Sequence, residues 1–480
     1  MIMKKAIKAL IWSLVGQIGS SGISTIFILV FARFMPPAEF GVFAAGAMVT
    51  NLASMLAGLG LATALVQQKQ FDTTTISTAF WLATAAAAVF AVAAVALAGP
   101  IALLFQDPRI HGIMLPLAIT MIVSNGTAIL TTVLRRDLDL RALSLRAFVV
   151  NLAAGLIATP LVMTGHGAAA LVTQSVANAV LSLIATIVLL GWRVRLRFDR
   201  DAAKEMLQYS IPVMKSDFLN IANLESPKLF IGVLLGSDAL GLYSMANRLL
   251  NLLLQVFGTP LSSVAFPLLS EVYRNEPKQV GKLYIRILKL TAVTILPVFL
   301  VFSSFGVDIV TLFFGPNWEG AGFLSVWMSL SGILLVLGYV NGATIMAIGY
   351  PQQRYRYILA GVLVGTILLA AMTPLGLAWV GVALLLRALF TEVLLTRGVL
   401  RLLGMAFPNA VSSLMPQAIA GIALVTTAVA VQLEFTGASA LFSVAFGGTA
   451  ALGSYVVSTW ILDRGVFAQL SCLFRKQVAE

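Results

Sequence analysis

Charge is scarce in this sequence. Asp, Glu, Lys and Arg make up 10% of its 480 residues, against about a quarter in soluble globular domains, so there is too little polar surface to coat a water-soluble body. Histidine occurs twice and cysteine once, at Cys472. A lone cysteine closes no internal disulfide and forms no thiolate cluster for a metal. His111 and His166 are too far apart in sequence to suggest a ligand pair and are read as solvated loop residues. Zinc and redox chemistry are therefore not expected, and neither is any cofactor. A GxxxxGK[ST] pattern is also missing, which excludes nucleotide hydrolysis at a P-loop within this chain.

Apolar residues are abundant instead: 59% of the chain is hydrophobic and the mean hydropathy is +0.97. Stretches of about 20 apolar residues recur along the whole length, enough at about 1.5 Å per residue to cross a bilayer core of about 30 Å. Hydropathy predicts spans near 10–34, 40–66, 78–105, 113–134, 147–165, 168–191, 208–235, 240–269, 287–314, 322–348, 357–374, 378–400, 412–433 and 438–462, or about fourteen. Pro36-Pro37, Asp107-Pro108, Gly165-His166-Gly167, Gly315-Pro316-Asn317 and Gly349-Tyr350-Pro351 punctuate them as turns. The expected fold class is an all-α integral membrane protein.

A net charge of +12 would suit a nucleic-acid binder, but the basic residues sit between the spans and fall on alternate loops. Lys69, Arg135, Arg136, Arg141, Arg146, the cluster from Arg193 to Lys204, the run from Arg274 to Lys289, Arg354, Arg356, Arg397 and Arg401 lie on one side; Arg33 and Arg109 lie on the other. That asymmetry marks the cytoplasmic side of a multi-pass protein and excludes nucleic acid as a partner. It places both termini in the cytoplasm and the segments from Asp107 to Gly112 and from Gly315 to Gly320 outside. The first apolar segment, longer than a signal-peptide core and without a small-residue cleavage site, is expected to remain as the first helix.

The chain also repeats itself at an offset of about 200 residues. Glu39-Phe40-Gly41-Val42-Phe43-Ala44 answers to Ala239-Leu240-Gly241-Leu242-Tyr243-Ser244, and Asn51 and Gly58 answer to Asn251 and Gly258. Ile101 to Pro108 resembles Ile309 to Pro316, and Asn125-Gly126-Thr127-Ala128 resembles Asn341-Gly342-Ala343-Thr344. Six helices repeated as six enter the membrane in the same sense, so two parallel six-helix bundles around a central cavity are expected, plus two C-terminal helices. The corresponding domains are 1–200, 201–405 and 406–480.

From Phe31 to Leu82 the motifs become specific. Pro37-x-x-Phe40-Gly41 follows the first span, Gly58-Leu59-Gly60 closes the second, Leu65-Val66-Gln67-Gln68 leaves it, and Phe80-Trp81 opens the third. This combination resembles the polysaccharide-transport branch of the multidrug, oligosaccharidyl-lipid and polysaccharide exporter superfamily. The resemblance implies a flippase, not an enzyme, in the bacterial inner membrane. It would carry undecaprenyl-diphosphate-linked oligosaccharide from the cytoplasmic to the periplasmic leaflet by alternating access, for exopolysaccharide, O-antigen or capsule assembly. Membrane lipid, a polysaccharide polymerase and a chain-length regulator are the further partners it implies. The related peptidoglycan-precursor flippases carry several arginines in the core of their first half, and none is expected there in this chain. Two alternatives stand beside it: a cation-coupled multidrug exporter of the same superfamily, and a membrane polysaccharide polymerase or ligase. The predicted outer loops, about 2 to 10 residues long, are too short for the sugar-binding loop expected of the latter.

Ionisable residues inside a span cost about 2.5–3.5 kcal/mol on insertion scales and usually face a cavity or a partner. Lys228, Arg248 and Arg387 each lie about 12–14 Å from the outer end of their predicted spans, on three different helices, and are the candidates for holding the substrate diphosphate. Asp217, Glu225 and Glu392 are the candidates for ion coupling, although Asp217, Glu225 and Lys228 share a helical face with Lys215 close by and could simply form an internal salt-bridge ladder. No ionisable residue is expected deep in the first half. There Gln17, Asn51, Asn125, Gln174 and Asn178 carry the amides; Gln17, Asn51 and Gln174, with Asn251 of the second half, are the candidates for contacting sugar hydroxyls. Isolated amides in spans also serve as helix–helix links. Gly361-x-x-x-Gly365 is read as a close-packing motif.

Overall fold

The computed structural model describes residues 22–58, 60–67, 72–136, 140–191, 197–435 and 439–465, together with residues 19, 195 and 437. Helix α1 is Gly22–Phe34. It is followed by α2 (Pro37–Gly58), α3 (Leu61–Gln67), α4 (Thr73–Ala96), α5 (Ala98–Leu104), α6 (Arg109–Arg136), α7 (Leu140–Met163), α8 (Gly167–Leu190) and α9 (Arg200–Asn275). Then come α10 (Val280–Ser304), α11 (Gly306–Phe314), α12 (Glu319–Ala347), α13 (Pro351–Met372), α14 (Leu377–Leu402), α15 (Phe407–Glu434) and α16 (Ala440–Leu462), the last with a π turn at Ser443–Gly447. No strand occurs among the described residues. Helices satisfy their own backbone polar groups, which hydrocarbon cannot do.

Twelve helices among the described residues are long and apolar enough to cross a bilayer. One of them, Asn223–Asn275, runs for 53 residues, about 80 Å at the α-helical rise and more than twice the hydrocarbon thickness. It cannot continue straight, and it breaks at Gly236, whose φ of 83° only glycine adopts readily. The break divides α9 into arms of 200–235 and 237–275. The expected first span is described only from Gly22, as α1.

The contacts divide the chain into two compact units, Met1–Ser244 and Met245–Glu480. In the first, α4 packs on α6 and α2, and α8 packs on α6 and α7. Ala79, Ala83, Ala87, Ala91 and Ala94 form a buried ladder along one face of α4, and Ala87 and Ala91 meet Ala53, Ala57 and Ala118 of α2 and α6. Between helices in lipid the attraction is contact itself, so small residues that let backbones approach serve better than bulky ones. Asp72 caps α4 by accepting from the Thr75 amide at 2.8 Å.

In the second unit α12 lies against α10 and α14, α13 against α14, and α15 against α10 and α16. Gly361 and Gly365 of α13 face Thr391 and Arg387 of α14 so closely that an added Cβ would stand 2.2 Å from each, as a packing motif requires. The repeated segments keep the same local form: α5 and α11 are short helices set between long ones, and Asn125 and Asn341 are both buried on the long helix that follows.

Candidate functional site

At one end of the first unit, four helix termini are tied together by charge. Glu39, in the first turn of α2, accepts from the Ala168 amide at the start of α8 (2.7 Å) and from Arg109 Nη1 at the start of α6 (3.0 Å). Arg109 also donates Nη2 and Nε to Asp107 at 2.7 and 3.0 Å, and the Ser237 hydroxyl, opening the second arm of α9, donates to Asp107 Oδ2 at 2.7 Å. Hydrogen bonds from the Arg109 guanidinium and the Ser237 hydroxyl hold the Asp107 carboxyl below the usual carboxylate range against a partial desolvation cost.

Beside this tie, α2 and the second arm of α9 meet backbone to backbone. A Cβ on Gly41 would stand 1.7 Å from the Ser237 carbonyl oxygen, and one on Gly241 would stand 1.9 Å from that of Pro37. Pro37 and Ser237, like Gly41 and Gly241, are partners at the 200-residue offset. The contact is therefore reciprocal, as across a local two-fold axis.

Of the proposed diphosphate ligands, Lys228 is paired within its own helix, its Nζ lying 2.6 Å from Glu225 Oε2. Asn51 of α2 adds a long contact, Nδ2 to Glu225 Oε1 at 3.5 Å. The internal ladder is thus realised for this pair; the side chains of Lys215 and Asp217, like the whole of Gln17, lie outside the described residues. Arg248 is exposed on the second arm of α9, and so is Asn251 one turn further on. The break at Gly236 lies earlier than the predicted span boundary, so Arg248 stands about 18 Å along its arm, against about 12 Å for Lys228 on the other side of the break and about 15 Å for Arg387 on α14. The stem of Arg387 lies across Gly365.

The amides divide by role. Asn125 donates to Ser54 Oγ at 2.8 Å and Asn178 to Asn151 Oδ1 at 2.7 Å, which makes both helix–helix links; Gln174 is half-buried. Arg146 corrects an expectation. The sequence placed it in a cytoplasmic loop, but α7 begins at Leu140, and Arg146 lies inside the span Arg141–Met163. There it donates to the hydroxyls of Thr131 on α6 and Thr186 on α8. The first half therefore does hold a helix-borne arginine, about 9 Å along its helix.

Sequence reasoning missed a buried polar chain in the second unit. Tyr284 of α10 donates its hydroxyl to Asn341 Oδ1 of α12 at 2.6 Å, and Asn341 Nδ2 donates to Glu392 Oε2 and Thr396 Oγ1 of α14 at 3.2 and 3.0 Å. Tyr284, Asn341 and Glu392 are 0%, 1% and 7% exposed. The repeat had aligned Asn341 with Asn125, but nothing in one dimension names their partners. An apolar cavity of about 300 Å³ lies between α10 and α15, lined by Leu296, Leu300, Ala418, Gly421, Ile422 and Val425. Among the described residues no three His, Cys, Asp or Glu side chains converge to hold a metal.

Comparison with known proteins places this architecture. The succinoglycan biosynthesis transport protein ExoT of Rhizobium meliloti (strain 1021) is 24% identical over 310 residues, 65% of this chain and 63% of that protein. The chain therefore matches less than two thirds of that relative's length. The lipopolysaccharide biosynthesis protein WzxC of Escherichia coli (strain K12) is 20% identical over 362 residues, 74% of this chain and 73% of that one. Among solved structures, the lipid II flippase MurJ in an inward closed conformation superposes with a TM-score of 0.78 at 12% identity, covering 95% of this chain and all of that one. An inward-facing multidrug resistance MATE family transporter of the MOP superfamily gives 0.58 at 14% identity, covering 78% of this chain and 94% of that one. The fold is that of these membrane transporters, and the polysaccharide biosynthesis protein family model matches residues 30–322: the chain belongs to that family.

Proposed function

We propose that this protein is a flippase that carries undecaprenyl-diphosphate-linked oligosaccharide from the cytoplasmic to the periplasmic leaflet of the bacterial inner membrane. The family, the transport and lipopolysaccharide roles named for its relatives, and the flippase-like fold support this reading. The observation that carries it is Arg248. A guanidinium carried inside a span is tolerated where it meets a partner, water or an anion and not bare hydrocarbon, and a diphosphate is the anion this substrate class brings. Arg387 would act with it, and Lys228 would join by exchanging Glu225 for the substrate as the protein changes state. Asn51, Gln174, Asn251 and Gln17 would meet sugar hydroxyls.

On this reading the chain has fourteen spans, with both termini in the cytoplasm. Helices 1–6 and 7–12, within 1–200 and 201–405, are parallel bundles around the cavity, and 406–480 carries the last two spans. The Glu39–Asp107–Arg109–Ser237 tie then lies at the periplasmic end and holds it shut. The apolar cavity beside α15 would accommodate part of the polyprenyl tail, and the flipped product would pass to a polymerase under a chain-length regulator.

Export of polysaccharide at matched membrane abundance tests the assignment. Arg248→Ala and Arg387→Ala should each lower export strongly, and the lysine variants should keep part of it, because charge survives while the bidentate fork does not. Normal export in both alanine variants would sink the diphosphate site. A fold shared with multidrug transporters keeps a drug exporter as the second reading, which unchanged drug accumulation in a deletion strain would exclude.

A further inference from the structure

Two of the three acids considered for ion coupling, Glu225 and Glu392, are described, and their surroundings differ. Glu225 is neutralised by Lys228 at 2.6 Å, whereas Glu392, 7% exposed, forms no ion pair among the described residues. Its one side-chain hydrogen bond comes from Asn341 at 3.2 Å. On its other side Oε1 rests against α12 at Gly338, where an added Cβ would stand 2.1 Å away. The titratable groups on the surrounding elements are Arg248, Glu271, Tyr273 and Arg274 of the part of α9 in this unit, Lys282, Tyr284, Arg286 and Lys289 of α10, Glu319 and Tyr339 of α12, Arg354, Tyr355, Arg356 and Tyr357 of α13, Glu434 of α15, and Arg387, Arg397 and Arg401 of α14 itself. Of these, Arg354 lies along Gly342, Tyr357 along Gly398 and Arg387 along Gly365. Lys289 pairs with Asp463.

A lone carboxylate buried among helices is costly unless something neutralises it. Calcium and magnesium take six or more oxygen ligands, and a sodium ion too needs several oxygens converging on it. This pocket turns an amide N–H toward the carboxylate, ties up the Asn341 oxygen with Tyr284, and closes the far side with glycine backbone. A proton is the cation it has room for. Asn341 can serve both protonation states: its Nδ2 donates to the carboxylate as seen, and after a half-turn of the amide its carbonyl accepts from the carboxylic acid while Nδ2 donates to the Tyr284 oxygen. Tyr284 lies one turn from the start of α10, about 6 Å along it, and Glu392 about 15 Å from the end of α14 at the same end of the unit.

We propose that Glu392 binds and releases the proton that drives the transport cycle, with Tyr284, Asn341 and Thr396 as the groups that position it. The coupling clause rests on the flippase reading; the proton site does not. Infrared pH titration of the purified full-length protein in lipid should show a protonated-carboxyl band at neutral pH. That band should be lost in Glu392→Gln and kept in Glu225→Gln. Tyr284→Phe removes a partner of Asn341 in either orientation of the amide, so its band should titrate at a shifted pH, which keeps the site testable if Glu392→Gln fails to fold. A band unchanged in both Glu392→Gln and Tyr284→Phe would overturn the proton site. In cells at matched abundance, wild-type export should change several-fold as external pH moves between about 6 and 8, and export by Glu392→Gln should not respond; equal responses, or none in the wild type, would overturn the coupling. Normal polysaccharide export in cells lacking the protein would instead overturn the substrate reading, and the infrared arm, which needs no substrate, separates that failure from this one.

Discussion

If the charged tie at the ends of α2, α6, α8 and α9 holds a gate closed, removing its central carboxylate should open that gate by an amount the structure allows to be worked out. Asp107→Ala loses the Ser237 hydrogen bond to a charged acceptor, about 1.5–3 kcal/mol, and the ion pair with Arg109. The Arg109 side chain is 48% exposed, so after screening that pair adds no more than about 0.5 kcal/mol. A total of about 2–3 kcal/mol corresponds to a rise of about 30- to 150-fold in the open population. Leu240, fully buried one turn beyond Ser237, is the reporter: with Cys472→Ser removing the one native thiol, Leu240→Cys can be titrated from outside with an impermeant maleimide. Labelling should accelerate by that factor in Asp107→Ala and by less in Asp107→Asn, which still accepts from Ser237. A change under about threefold would refute the tie as a gate. The pH dependence has a definite sign. The folded pKa of Asp107 is lowered, so its contribution is present above the unfolded carboxylate value of about 4 and is lost only as pH falls through the lower folded value. Labelling of the parent, taken relative to a fully exposed cysteine at the same pH because only the thiolate reacts, should stay flat from about pH 8 to 5 and rise in stronger acid.

Gly41→Ala and Gly241→Ala should both lower folded yield, because each Cβ meets a backbone carbonyl that cannot swing away; overpacking of this kind costs about 1–3 kcal/mol, and the reciprocal contact predicts similar losses of thermal stability in the two variants. Asn341→Ala should destabilise the purified protein by about 2 kcal/mol, at about 0.6 kcal/mol for each of its three interhelical hydrogen bonds, and more than Asn125→Ala, which loses one such link, to Ser54. Phosphatase fusions at Asp107 and Gly315 should be active and those at Lys69 and Arg197 inactive; activity at either of the latter would reverse the topology.

Membrane residence, helical content and the places where helices turn were legible in one dimension, because hydrocarbon forbids unsatisfied backbone and demands about 20 apolar residues per crossing. The repeat was legible for the same reason: Gly41 and Gly241, and Asn125 and Asn341, recur where the fold needs a close approach or a buried link. Tertiary structure decided the partners that lie on different helices, whereas the Glu225–Lys228 pair, three residues apart on one helix, was already legible. Lys228 and Arg387 read alike as cations in spans, yet one is neutralised by Glu225 and the other lies across Gly365. Arg146 read as a loop residue because hydropathy ends a span at the first charge, whereas two threonine hydroxyls on neighbouring helices let α7 carry it inside. Glu225 and Glu392 are the same residue type, both buried within helices, and the packing of α10 and α12 around α14 leaves Glu392 without an ion pair among the described residues. Hydropathy sums one residue at a time, while the free energy of a buried charge depends on which groups three helices bring within about 3 Å of it.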